Sequence, residues 1–319
     1  MIKNRFKKGF TIVELLVVIV VIGILASITI ISYTGFTARA NAALAQSDLS
    51  NMSRTIEMYK IDYGQYPAQT SDFTGMKGYA VSKGNTLLSY VSDKTSASTP
   101  ASLGSFYCIT TKANNLAYSI KNGSAPVPGY CMTNLIMNGD FSNGTVGWTS
   151  DTGSLSVVGG AGQSVSVGTH LYQDFKQNFS RSFNTNNGMY VRYKVRSNDY
   201  AFKSGFPIGD DGSTGYVLTH GPDTQSVWFN NKIVWPNYFY AYGSDAPWKT
   251  NETEFFVNTY NNDNSNINPG SVIQLDNVVF IDTTSTFGYG NEPSSAKMDV
   301  VMAQFGAEPW FEGTVIVNL

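Results

Sequence analysis

Hydrophobic positions fall into three successive regimes along the chain. From Phe10 to about Ile31 they run almost unbroken, with Glu14 as the single charge. At 1.5 Å per residue that run predicts a helix segment of about 33 Å, enough to cross the hydrocarbon core of a bilayer. Beyond it, Ala38, Ala42, Ala45, Leu49, Met52, Ile56, Tyr59 and Tyr63 recur in steps of four and three, an amphipathic stripe. Gly64 and Pro67 then stop the pattern. One helix of about 80 Å is therefore predicted from Phe10 to Tyr63. Gly23 lowers helix propensity there by about 1 kcal/mol relative to Ala, and marks either a looser point in the helix or a close packing contact. After residue 64 the period changes to two. Phe106-Tyr107-Cys108-Ile109 and Leu116-Ala117-Tyr118-Ser119-Ile120 flank an Asn114-Asn115 turn, a hairpin signal. Many further short alternating strands, separated by Gly, Asn, Asp and Ser, predict a β-sandwich. Near the end, Met298, Val301, Met302 and Phe305 return to helical spacing before Gly306, and Thr314-Val315-Ile316-Val317 reads as a last strand.

Composition narrows the function classes. Of 319 residues 42% are hydrophobic and 13% aromatic, which supplies a real core and excludes wholesale disorder. Only 14% are charged, well below the roughly 25% usual for soluble domains. The net charge of −2 gives no basic stripe for nucleic acid, so no nucleic-acid partner is expected. That charge is uneven: Lys3, Arg5, Lys7 and Lys8 precede residue 10, whereas 17 acidic and 9 basic side chains follow residue 134. An acidic outer half disfavours anionic surfaces and suits a neutral or cation-bridged ligand. His170 and His220 stand about fifty residues apart with no nucleophile motif around them. No Cys-rich zinc module and no paired-carboxylate glycosidase dyad stands out, so a non-enzymatic protein is expected.

The basic flank before the apolar run places the N-terminus in the cytoplasm by the positive-inside rule. A cleaved export peptide ending near Thr37-Ala38-Arg39-Ala40 is one reading. The run is long for that role, and Glu14 within its first turns costs about 2.5–3.5 kcal/mol on insertion scales. Gly9-Phe10-Thr11-Ile12-Val13-Glu14-Leu15-Leu16 after a short basic leader resembles a type IV prepilin. The resemblance is strongest over residues 3–67 and includes Gly64-Gln65-Tyr66-Pro67 after the helix. It implies cleavage after Gly9 by a prepilin peptidase, N-methylation of Phe10, and Glu14 as the assembly residue. It also implies an inner-membrane precursor, polymerisation with other pilin subunits, and a final place in an extracellular pilus or at the cell surface. Cys108 and Cys131 are the only cysteines. In an exported chain they are most simply one bridge, worth roughly 3 kcal/mol for a loop of about 24 residues. A catalytic cysteine is the alternative.

The C-terminal half opens with Asn134-Leu135-Ile136-Met137-Asn138-Gly139-Asp140-Phe141-Ser142 and Gly147-Trp148. With the strands at 189–195 and 272–280, this resembles galactose-binding-like jelly-roll domains, including carbohydrate-binding modules. The expected fold class is thus α+β. A leader at 1–9, a transmembrane and assembly helix at 10–63 and a small β head at 64–133 precede an all-β jelly-roll at 134–283 and a cap at 284–319. The cap's Gly-Asn-Glu-Pro, short helix and Trp-Phe-x-Gly resemble a tail found after jelly-roll modules in phage structural proteins. Trp148 reads as core. Trp228, Trp235, Tyr238, Tyr240 and Tyr242 are the ligand candidates, on two strands joined by a turn at Asn230-Asn231. Three tyrosines on one strand face would suit sugar C–H patches and hydroxyls; cross-strand packing is the competing reading. The resemblance implies a structural calcium near Asp276, although Ser142 stands where many relatives carry Glu. Asp210-Asp211-Gly212 and Asn261-Asn262-Asp263-Asn264 are further acidic loops, otherwise plain turns. No other cofactor is expected. The sequence thus points to a pilin subunit bearing an adhesive module for a glycan or host-surface ligand. A pseudopilin recognising cargo and a pilin-anchored enzyme are the alternatives.

Overall fold

The computed structural model describes residues 10–92, 106–114, 116–183, 188–197, 202–206, 216–219, 229–235, 252–261, 265–306 and 309–318. One helix of 52 residues, α1 (Ile12–Tyr63), opens the fold. It begins two residues later than the apolar run because Thr11 is its N-cap, in extended conformation. It ends at Gly64, whose φ of 74° lets its N–H reach the Lys60 carbonyl at 2.8 Å. That left-handed position suits glycine. A single turn, α2 (Ser71–Thr74), follows and buries Phe73.

The head is a four-stranded antiparallel sheet in sequence order: β1 (Asn85–Ser92), β2 (Tyr107–Ala113), β3 (Leu116–Lys121) and β4 (Val127–Pro128). The expected hairpin is present, with β2 and β3 paired from Cys108↔Lys121 to Ala113↔Leu116. The second half of α1 lies on this sheet. Leu49, Met52 and Ile56 are fully buried against Tyr66, Phe73, Tyr107, Ile109 and Ile120. Asp48 is also buried on that helix face. Its carboxylate accepts hydrogen bonds from the Ser82 N–H at 2.9 Å, Ser82 Oγ at 2.8 Å and Asn85 Nδ2 at 2.6 Å, which ties the start of β1 to the helix. Next comes β5 (Tyr130–Thr133). The Cys108–Cys131 disulfide joins β2 to it, with both cysteines buried.

Ten strands then form a sandwich: β6 (Trp148–Thr149), β7 (Gly153–Val158), β8 (Ala161–Ser166), β9 (Gln173–Phe183), β10 (Met189–Ser197), β11 (Phe202–Phe206), β12 (Tyr216–Thr219), β13 (Phe229–Trp235), β14 (Glu252–Asn261) and β15 (Val272–Asp282). Two antiparallel sheets result, ordered β13-β10-β15-β8-β7 and β12-β11-β14-β9-β6. Alternate residues of each face one shared core: Val191, Tyr193, Val195, Ile273 and Leu275 from the first, Phe175, Phe255 and Val257 from the second. Asn230 and Asn231 do not turn a hairpin. They lie inside β13, opposite Lys194 and Tyr193. Seven consecutive residues of β13 pair with β10, which satisfies backbone groups that a turn there would leave exposed.

The Asn-Gly-Asp-Phe segment works as a plug for this core. Asn138, at φ 49°, donates to the Gly144 and Val146 carbonyls, while its own carbonyl accepts Trp148 Nε1 at 2.9 Å. Phe141 stacks on Trp148 at 5.2 Å, and Trp148 is buried as expected. A side chain at Gly139 would run into the Val278 carbonyl and the Trp310 indole, so glycine is required by close approach.

The tail does not cap the sandwich alone. After α3 (Thr283–Phe287) and α4 (Ser295–Ala303), strand β16 (Thr314–Val317) pairs with β5 of the head in a separate two-stranded sheet. A second core forms at this seam: Ala117, Tyr130 and Met132 from the head; Tyr190, Val279 and Ile281 from the sandwich; Phe287, Met298, Val301, Met302, Phe311 and Val317 from the tail. Asn134 sits at its centre, fully buried. Its N–H donates to the Gly313 carbonyl at 2.9 Å, and Nδ2 donates to the carbonyls of Phe311 at 3.0 Å and Val278 at 3.3 Å. Its Oδ1 accepts the N–H of Phe280 at 2.9 Å and of Ile136 at 3.1 Å.

Two predictions follow from these packings. Asn134→Ala leaves buried amides and carbonyls of β15 and the tail without partners, and is expected to cost about 2–4 kcal/mol, read as a lower urea midpoint for the detergent-solubilised chain. Tyr107 is fully buried, with its hydroxyl 2.7 Å from Ser53 Oγ and accepting the Gly123 N–H at 2.9 Å. Burial, with a smaller push from the Glu57 charge, raises its phenol to about 12. A raised acid favours the folded state below its unfolded value near 10 and loses that advantage as pH climbs through about 12. Stability measured between pH 9 and 12 should fall. Tyr107→Phe should start about 1–2 kcal/mol lower but lose less over that range.

Candidate functional site

Two places gather chemically distinctive side chains. The first is the N-terminal end of α1. Thr11 and Glu14 close a capping box: Thr11 Oγ1 and the Thr11 N–H donate to Glu14 Oε2 at 2.7 and 2.9 Å, and the Glu14 N–H donates to Thr11 Oγ1 at 3.2 Å. The Thr-x-x-Glu spacing is a capping-box signature legible in the chain, and the sequence reading passed over it. The box holds the carboxylate one turn from Phe10, whose side chain is 84% exposed. Gly9 lies outside the described residues. From Ile12 to Ile30 the helix is long and apolar enough to cross a membrane, and none of that stretch is buried against the protein.

The second is the outer face of the sheet β12-β11-β14-β9-β6. Asn258 stands opposite Asp174 in the register, and Tyr260 lies two residues further along the same strand face. Tyr260 and Tyr172 approach at 6.0 Å between ring centroids. Burial, then the charges of Asp174 and Asp151, push the Tyr172 phenol up. Asn258 is buried and sends Nδ2 to the Tyr260 hydroxyl at 3.4 Å, while its Oδ1 accepts no hydrogen bond among the described residues. Asp174 is fully buried and organises the loop before β7. It accepts Ser150 Oγ at 2.9 Å and the N–H groups of Asp151 and Thr152, both at 3.1 Å. Lys176, on the same strand face, reaches Asp151 at 3.7 Å. Two tyrosine faces beside the Asn258 amide and the Lys176–Asp151 ion pair are groups that can grip a polar, C–H-rich ligand.

This site is not the one the sequence singled out. Trp228, Tyr238, Tyr240 and Tyr242 lie outside the described residues. Trp235 ends β13 opposite Met189, at the edge of the other sheet, and so is not joined to the Tyr172–Tyr260 pair. Tyr172 and Tyr260 are isolated aromatics 88 positions apart, and only the pairing of β9 with β14 brings their neighbourhoods together. His170 forms an isolated bridge with Ile267. His220, Asp210–Gly212 and 262–264 lie outside the described residues.

The calcium expectation centres on Asp276. Asp276 accepts the Asn277 N–H at 2.8 Å and Asn277 Nδ2 at 3.3 Å. Asp140 accepts Ser142 through both its N–H and its hydroxyl. Among the described residues no three His, Cys, Asp or Glu side chains gather as a metal site.

Known proteins resemble the chain by sequence over its N-terminal part. Residues 4–30 match the prokaryotic N-terminal methylation motif. The type II secretion system core protein G of Aeromonas hydrophila is 38% identical over 65 residues, 20% of this chain and 46% of that protein. The fimbrial protein of Neisseria meningitidis serogroup A is 32% identical over 68 residues, 21% of this chain and 40% of that protein. The chain thus spans less than half the length of these curated relatives. Among solved structures, a family 16 carbohydrate-binding module is 16% identical, covering 46% of this chain and 99% of its own, at a TM-score of 0.30. A family 11 carbohydrate-binding module from Clostridium thermocellum, in complex with a mixed-linked tetrasaccharide, is likewise 16% identical. It covers 48% of this chain and 95% of its own, also at 0.30.

Proposed function

We propose that the chain is a pilin-type subunit, processed after Gly9, that polymerises through α1 and displays a β-sandwich as a non-enzymatic binding module. The observation that carries this reading is the two-sidedness of α1 behind a methylation motif. One stripe, from Ala45 to Ile56, is buried in the head. On the opposite side Phe36, Leu44, Met58 and Ile61 are exposed, and at 100° per residue they share an arc about 100° wide. The membrane half is exposed all round. Such a helix supports packing of subunits side by side, first in lipid and then in a filament.

Glu14 supplies the register. A carboxylate in hydrocarbon is costly, and the amine freed at Phe10 of a neighbouring subunit would neutralise it. The capping box holds Glu14 at the helix entrance, where such an amine would arrive. A prepilin peptidase and an N-methylating activity at Phe10 are the implied processing partners. The second reading, a pseudopilin of a secretion system, is favoured by the similarity to the core protein G sequences; there the sandwich would meet cargo. Purified filaments separate the two, by whether this chain runs along the shaft of an extracellular pilus.

The sandwich face at Tyr172, Asn258 and Tyr260 is assigned a polar, uncharged glycan, since aromatic faces and amides both serve sugars.

Two outcomes are expected. Glu14→Gln should leave the processed band unchanged on a gel and sharply lower filament yield, whereas Gly9→Glu should leave the larger precursor in the membrane; normal filaments from Glu14→Gln would sink the assembly role. On a glycan array, Tyr260→Ala should weaken binding about tenfold, equivalent to about 1.4 kcal/mol. Turnover of an arrayed glycan would instead favour an enzyme.

A further inference from the structure

The outer face of the other sheet, β13-β10-β15-β8-β7, has a charge opposite in sign to the half of the chain that carries it. On β10, Met189, Val191, Tyr193 and Val195 enter the core between the sheets. Arg192, Lys194 and Arg196 therefore share the opposite side of the strand, about 7 Å apart, the side on which Tyr190 is buried beneath the tail. Lys232 stands opposite Arg192 in the register of β13. Four of the nine basic residues after residue 134 thus gather on one strand pair, in a half that carries 17 acids. On β15 Asp276 stands across from Lys194, and the charge of Asp299 on α4 reaches Tyr190, as that of Arg192 does.

Around the cations are neutral hydrogen-bonding groups. Arg196 Nε donates to Gln274 Oε1, and Gln274 Nε2 donates to Gln163 Oε1 at 3.2 Å, a ladder across three strands. Ser154 and Ser156 continue that face on β7, opposite Val165 and Gln163, and both are exposed. Arg192, Arg196 and Gln163 are half-buried and Lys194 is nine-tenths buried, so the two arginines present more of their charge to solvent than Lys194 does.

The geometry points to this face as a binding site for an acidic polysaccharide, one carrying carboxylate or sulfate groups spaced along a hydroxyl-rich chain. Guanidinium groups take carboxylate and sulfate oxygens bidentately. The Gln163–Gln274 ladder, Ser154 and Ser156 meet hydroxyls. Duplex DNA fits worse: it carries one charge per roughly 1.7 Å, and the acids elsewhere on the sandwich would repel so dense a polyanion. The site lies on the sheet opposite the Tyr172–Tyr260 face and does not rest on the neutral-glycan reading.

The test uses the full chain in neutral detergent, passed over immobilised heparin, alginate, duplex DNA and uncharged dextran. Retention on heparin or alginate, absent on dextran and about tenfold weaker when salt is raised from 50 to 500 mM, is the expected result. The double variant Arg192→Gln/Arg196→Gln should lower affinity at least tenfold. Ser156→Glu, an exposed change that leaves the ladder in place, should lower it several-fold and guards against misfolding of the first variant. Lys77→Gln/Lys297→Gln makes the same charge change elsewhere and should alter binding less than twofold. Equal losses in the two double variants, no effect of Ser156→Glu in the folded chain, retention on DNA as strong as on the glycans, or no retention at all would each overturn the assignment.

Discussion

The architecture depends on burying one asparagine where three segments of chain meet. Asn134 is the first residue after β5, and the strand beside it, β16, comes from the far end of the sequence. With only β16 beside it, β5 would be a two-stranded ribbon, which is marginal by itself. It persists because Asn134 binds backbone groups of β15 and the tail at the same time, while apolar side chains from head, sandwich and tail exclude water around it. A buried amide with both ends satisfied fixes geometry in a way an apolar residue cannot, because its partners have directions. Head, sandwich and tail are thereby one packed body, although the sequence reads as a series of separable segments.

This seam also defines how load would pass through the chain. A pull on the sandwich reaches β5 through Asn134 and β16, and β5 is covalently tied to β2 by Cys108–Cys131. The sheet containing β2 rests on the buried stripe of α1, with Asp48 fastening the start of β1 to the same helix. The linkage from the sandwich to the helix therefore combines a covalent bond, directional hydrogen bonds and apolar packing. In a filament subunit that is the part of the fold where loosening would be most harmful.

What was legible in the sequence follows the range of the forces involved. The period and stop signals of α1 are local, and Gly64 ends it where expected. The β2–β3 hairpin and the disulfide are short-range features, and Trp148 and Phe141 belong to one compact plug. The pairing of β16 with β5 joins residues about 180 positions apart, and no local pattern specifies it. The same holds for the Tyr172–Tyr260 approach. Asn230-Asn231 misled for the opposite reason: a local turn preference worth little was outweighed by seven cross-strand partners. The Thr11–Glu14 box is local too, a Thr-x-x-Glu spacing at the head of the apolar run.

Charge gives the same lesson in another form. A count over the second half of the chain, 17 acids against 9 bases, treats that half as a single surface. A sandwich has two outer faces and an interior, and a strand sends alternate residues to opposite sides. In Arg192-Tyr193-Lys194-Val195-Arg196 the pleat places all three cations on one side and both apolar residues in the core. Electrostatic recognition acts over about 8 Å at physiological salt, a distance close to the spacing of those side chains and short compared with the module. A ligand at that face therefore responds to the strand beneath it more than to the total charge, and a net acidic module can hold an anion where its pleat collects the bases.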